Sequence, residues 1–207
     1  MKKIILIVFC LLISISTVEK VSARSLQSTE NTLEVVGHKG LSIKQAIELA
    51  YLSAFKWNKN AQLLHAINID LDKPGKSIGS NGNRKHWNVQ FGVPDTNKLL
   101  LVTIHNGKID KINDLTSKGV SPYPKNEFIQ LKDIKYDSPE VLKKALKMGS
   151  IYPGKDWAKG YNFRISKDTE RNINLIVVIG WNTDQTKMKS VDFNVTTGEY
   201  IPPTDLN

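Results

Sequence analysis

WNVQFGVPDTNKLLLVTIHNGKID, residues 87–110, is the stretch on which the reading of this chain turns. Trp87, Val89, Phe91 and Val93 alternate with Asn88, Gln90 and Gly92, the period of a strand with one buried face. Pro94-Asp95-Thr96-Asn97 supplies turn formers, and residues 99–104 an apolar partner strand. Asn106-Gly107 is a strong hairpin signal, because both residues tolerate positive φ, and residues 108–112 form the return. A similar order recurs near the end in LIVVIGWNTDQTKMKSVDFNVTTGEY, residues 175–200. Phe91-Gly92-Val93 aligns with Ile179-Gly180-Trp181, and Asn106-Gly107 with Thr197-Gly198. The offsets call for a turn about three residues longer in the second hairpin.

A helical stretch precedes each copy. Ser42-Ile43-Lys44-Gln45 has the form of a capping box, in which the Ser oxygen takes the N3 amide and Gln45 reaches back. Ile43, Ala46, Ile47, Ala50, Tyr51 and Ala54 then make one apolar helix face. Ser138-Pro139-Glu140 opens the second helix, with Ser138 as N-cap, and Val141, Leu142, Ala145, Leu146 and Met148 as its buried face. Between helix and hairpin in the first copy, Ile67, Ile69 and Leu71 alternate with polar residues and read as a further strand. In the second, Tyr161, Phe163 and Ile165 do the same. The expected fold class is α+β: two similar units, each a helix packed on a small antiparallel β-sheet. The expected domains are a signal peptide at 1–23, a flexible lead at 24–41 and a first unit at 42–112. A connector at 113–137, with a short strand at 128–131, leads to a second unit at 138–201 and a tail at 202–207.

The leader is read from Lys2-Lys3, the apolar run 4–15 and the small-residue site Val21-Ser22-Ala23. The run is short for a membrane span, which needs about 20 apolar residues. Cys10 lies inside that run behind bulky Phe9, so it reads as an ordinary residue of the leader rather than a lipidation site. Without residues 1–23 the chain has no cysteine, which excludes disulfides, thiolate nucleophiles and Cys metal sites. Its net charge falls from +9 to +7, because the leader carries three Lys and one Glu. The positive residues are dispersed rather than blocked. The expected location is secreted or associated with the cell surface.

The helix, the Trp-bearing strand 87–91 and the strand ending in a Gly turn at 102–109 resemble a PepSY unit. The segment Val191-Asp192-Phe193-Asn194-Val195-Thr196-Thr197-Gly198-Glu199-Tyr200 carries the resemblance best. The first copy departs from it, with Thr103 where an Asp is expected and His105-Asn106 in place of the Thr region. The chain thus resembles secreted bacterial proteins with tandem PepSY-like domains. That resemblance implies an extracytoplasmic, non-enzymatic module for which peptidase inhibition is the proposed role.

No motif of catalysis stands out. There is no G-x-S-x-G elbow, Walker loop, G-x-G-x-x-G or HExxH. His38, His65, His86 and His105 show no ligand spacing, and read as packed or exposed residues. Asp70-Leu71-Asp72-Lys73-Pro74-Gly75 begins like a calcium loop, but Pro74 takes a ligand position and Asn81 stands where Glu is needed. No catalytic residue, cofactor or metal is expected. The expected partner is a protein, with a peptidase as one option, or an anionic cell-surface polymer, and not nucleic acid. Trp157, Tyr161, Arg84 and Lys85 are the candidate partner-binding residues, Trp157 as an aromatic set among Lys155, Lys159 and Tyr161. The alternatives are attachment to wall or membrane surface through basic charge, and a hydrolase with an unrecognised site.

Overall fold

The hairpin strands read from the sequence are present, and they join into one sheet. The computed structural model of the protein describes residues 40–73, 78–118, 120–149 and 151–203. The expected leader 1–23, residues 24–39 of the lead and the last residues of the tail lie outside these. Eight strands run antiparallel in the order β4-β3-β2-β1-β5-β6-β7-β8. They are β1 (Gln62–Asn68), β2 (Trp87–Gly92), β3 (Leu99–His105), β4 (Lys108–Asp114), β5 (Asn162–Asp168), β6 (Ile173–Trp181), β7 (Met188–Asn194) and β8 (Tyr200–Ile201).

This overturns the expectation of two helix-on-sheet units. A four-stranded meander leaves β1 with an unpaired edge, and β5 likewise, and open edges seek hydrogen-bond partners. Here they find each other: His65 faces Ser166, Ala66 faces Ile165 and Ile67 faces Arg164. Side chains extend the seam. Asn68 accepts from the Phe163 amide at 2.6 Å and donates through Nδ2 to Asn162 Oδ1 at 2.8 Å. A single core runs through both halves, from Ile47, Trp87 and Phe91 to Phe163, Ile176 and Phe193. Among the described residues the fold is dominated by this sheet, with two α-helices on it.

Helix α1 (Ile43–Trp57) forms as its apolar spacing requires and buries Ile43, Ala46, Ile47, Ala50 and Ala54. Its capping box is made by Ser42 and Gln45. Helix α2 (Ser138–Lys147) is capped by Asp137, not Ser138; the carboxylate accepts from the start of the helix and Glu140 accepts the Asp137 amide. Ser138 is thereby free for another task. Its hydroxyl accepts the Ile43 amide at 2.9 Å, and Asp137 Oδ1 accepts the Lys44 amide at 3.1 Å. The start of α2 therefore satisfies otherwise open amide donors at the start of α1. In α2 only Val141, Leu142 and Ala145 of the expected apolar face are buried, while Leu146 and Met148 are exposed. Helix α1 packs on β1, β2 and β3, and α2 on β6.

Two further details differ from the sequence reading. The strand expected at Ile67, Ile69 and Leu71 runs earlier, with Leu63, Ala66 and Asn68 facing in, because a bulge between Leu63 and His65 shifts its phase. Residues 128–131 hold a single bridge, Ile129 to Leu63, between two 3-10 turns. The β2–β3 and β6–β7 connections are equal in length, so the extra residues lie instead in the turn before β8. Asn106 and Gly107 both take positive φ in the β3–β4 turn, as their chemistry suits.

Candidate functional site

The site is built where the β1–β2 loop meets the chain entering β5. Arg84 lies at its centre with its side chain fully buried. Backbone pairing with Leu41 in both directions holds it beside the start of α1. Its guanidinium is held by hydrogen bonds at Nε and Nη1 and by ion pairs alone at Nη2. Nε donates to Asp72 Oδ2 at 3.1 Å, and Nη2 lies 3.0 Å from the same oxygen and 3.5 Å from Asp70 Oδ1. Nη1 donates to Asn162 Oδ1 at 2.7 Å, Tyr161 O at 2.9 Å and Lys159 O at 3.1 Å. Burial pulls the Arg84 pKa below its ordinary value, and Asp72 and Asp70 oppose that pull. Such a buried charge requires partners on every donor. The residues that resembled the start of a calcium loop are thus the counter-ions of Arg84.

The cluster grips a short loop. Gly154 and Gly160 pair backbone to backbone in both directions, closing residues 155–159 into a tight excursion. From below, the Lys159 amide donates to Asp70, Lys159 Nζ to Asp72 O at 2.6 Å, and Asn162 Nδ2 to Ala158 O at 2.9 Å. Gly160, at φ +67, has no room for a side chain, because a Cβ there would overlap the Ile78 carbonyl. Ala158 is held at φ +45, a conformation that non-glycine residues rarely adopt. At the tip stands Trp157, 61% exposed, edge-on to the Trp181 ring at 5.3 Å. Tyr152 pairs with Trp181 across the backbone, and Met188 faces Trp181 from β7. Tyr152 and Met188 are themselves exposed, so Trp157 belongs to an apolar patch rimmed by exposed Lys155, Lys187 and Lys189.

The structure brings all four sequence candidates to this region and gives them different parts. Trp157 is outward. Arg84 and Tyr161 are buried and act as the brace, Tyr161 through its carbonyl. Burial, and then the neighbouring Tyr152, push the Tyr161 hydroxyl above its ordinary pKa. Lys85 is exposed on an adjoining cleft of about 620 Å³, which Asp72, His86 and Asn106 also line.

The sequence reading missed a histidine pair, of which His86 lines that cleft. The rings of His86 and His105 lie 5.2 Å apart, edge to face. His86 Nε2 is 3.9 Å from Asp72, and His105 Nδ1 is 3.5 Å from Asp110. Burial holds the His86 pKa below its ordinary value against the pull of Asp72, with His105, Arg84 and Lys85 adding to the lowering. Its Nδ1 is buried without a hydrogen-bond partner among the described residues. The hairpin register carries the signal that would have found the pair: Trp87 opposite Ile104 places His86 beside His105. His65 lies apart on β1, half-buried, its pKa lowered by burial and by Arg164. Among the described residues no group of three or more His, Cys, Asp or Glu is arranged to hold a metal.

No helix among the described residues is long and apolar enough to cross a membrane. No family model and no curated protein matches this chain in the comparisons made. A comparison with solved structures finds the crystal structure of a candidate lipoprotein from Clostridium difficile 630. It has a TM-score of 0.49 and 15% sequence identity over 74% of this chain and 88% of that chain.

Proposed function

We propose that this chain is a secreted, non-enzymatic binding protein that engages a protein partner through the Trp157 loop. One observation carries the reading: a largely exposed Trp sits at the tip of a loop that a fully buried Arg84 and the partly buried Asp70 and Asp72 clamp from below. A rigid aromatic loses little freedom on contact, and for that reason Trp dominates many interfaces. Export rests on the leader-like sequence 1–23. Peptidase inhibition is the narrower form, and it rests on the resemblance of residues 191–200 to PepSY segments.

The test is affinity capture from culture fluid with the purified chain, repeated with Trp157→Ala and with Lys85→Ala. Loss of an interface Trp costs about 2 kcal/mol or more, near thirtyfold in affinity. Trp157→Ala should release the captured partner without lowering the melting temperature. Undiminished capture by a folded Trp157→Ala variant would overturn the reading. The histidine pair favours a second reading, hydrolysis at the Asp72–His86–His105–Asp110 cluster beside the cleft. That reading requires a turnover, on peptide or ester substrates, that His86→Asn and His105→Asn abolish.

A further inference from the structure

At the other end of β1 from the Trp157 loop lies a groove of about 580 Å³ with a different character. Three lysines line it, and each comes from a separate, pinned turn. Lys59 follows α1, where the Ala61 amide donates to Asn58 O and the Asn60 amide to Asn58 Oδ1. Lys125 and Lys132 stand in the 3-10 turns at 125–127 and 131–133. These turns are tied to the sheet through Ile129 N to Leu63 O at 2.8 Å and Gln130 Nε2 to Gln62 Oε1 at 2.6 Å. The opposite wall, at Val93 to Asp95, is fixed by Asp95 N to Tyr123 O and Tyr123 N to Thr96 O, both 2.9 Å.

The three lysines are exposed, and among the described residues none of their ammonium groups makes an ion pair or hydrogen bond. The one carboxylate lining the groove is Asp95, so the wall carries an uncompensated positive charge. Between the lysines the lining is mixed, with half-buried Tyr51 and Leu131 beside polar Asn60, Gln62 and Gln130.

We infer that this groove binds an acidic peptide segment of a protein partner, one that alternates carboxylates with apolar side chains. The lysine rim complements the carboxylates, and the half-buried Tyr51 and Leu131 complement the apolar groups. A purely anionic polymer meets only the rim. The inference is independent of the Trp157 loop, which lies beyond Asn68 at the far end of β1.

The probe is a fluorescently labelled peptide of alternating Glu and Leu, followed by anisotropy on the full chain. An all-Glu peptide, a Leu–Lys peptide and inorganic polyphosphate serve as comparisons. Each exposed ion pair contributes a fraction of a kcal/mol, so replacing Lys59, Lys125 and Lys132 by Gln should weaken the Glu–Leu peptide roughly tenfold. Raising salt to about 0.5 M should do the same to the unaltered chain. Leu131→Ser should weaken the Glu–Leu peptide and leave all-Glu binding unchanged. No binding of the Glu–Leu peptide, or binding that survives the triple substitution in a folded variant, would overturn the assignment. Polyphosphate binding as tightly as the peptide, and lost with the same three lysines, would overturn the peptide in favour of an anionic polymer.

Discussion

Replacing Arg84 by Met removes the charge at the centre of the clamp while keeping most of the side-chain volume. Breaking one partner out of a buried pair costs about 3–5 kcal/mol, because the other charge stays behind. Asp70 and Asp72 keep 25% and 13% of their side-chain exposure, so they retain some water and the lower end applies. The carbonyls of Lys159 and Tyr161 lose a donor as well, adding about 1 kcal/mol. The sum, about 4 kcal/mol, is a large share of a native stability of roughly 5–15 kcal/mol. It corresponds to a fall of about 8–16 °C in melting temperature for a domain of this size. Urea unfolding followed by Trp fluorescence measures it. Because the cost comes chiefly from stranded carboxylates, Arg84→Met combined with Asp72→Asn should be more stable than Arg84→Met alone. Limited trypsin digestion should also cut faster at Lys155 and Lys159 in the single variant. An Arg84→Met protein within 1 kcal/mol of the unaltered chain, or a double variant less stable than the single, would refute the account.

His65 and His86 both have folded pKa values below the ordinary histidine value near 6.5, so the unfolded chain binds more protons as pH falls past that point. Their contribution is present above about pH 6.5 and is lost on acidification; unfolding free energies at pH 7.5 and 5.5 should differ more for the unaltered chain than for His65→Gln/His86→Asn. Glu48, raised by burial, acts in the opposite sense, and is unchanged between the two chains compared. Gly160→Ala sets a Cβ against the Ile78 carbonyl at φ +67, and should cost about 3 kcal/mol or more by the same urea titration. An Ala variant within 1 kcal/mol of the unaltered chain would mean that the loop relaxes freely there.

The hairpins were legible because their signals are local. Alternation at Trp87, Val89 and Phe91, and the Asn106-Gly107 turn, fix strand, face and turn with no help from distant residues. The joining of β1 to β5 was not legible. Alternation tells which face of a strand is dry, and is silent about which edge is paired. The phase of β1 escaped for a related reason, since a bulge at Leu63/His65 breaks the period that the reading relied on. Asp137 and Ser138 are both good capping residues, and only the packing of α1 against the start of α2 divides the work between them. At the site, Trp157 was found by composition alone. Arg84 was chosen for the right neighbourhood, but its charge serves the interior, a distinction that depends on the burial of Asp70 and Asp72 around it.

The seam between β1 and β5 also sets the order in which the chain can mature. Asn68 meets Asn162 and Phe163 across 94 and 95 residues of sequence, and Ile43 meets Ser138 across 95. Contacts of such separation form late, because a long loop must close before they return anything. A chain emerging from its N-terminus can build β1 to β4 while one side of β1 stays bare, as does the start of α1. During that interval β1 offers an open strand edge to any other extended chain, including another copy of itself. The arrival of residues 138–168 covers that edge, so the second half of this protein closes the one the first half leaves open.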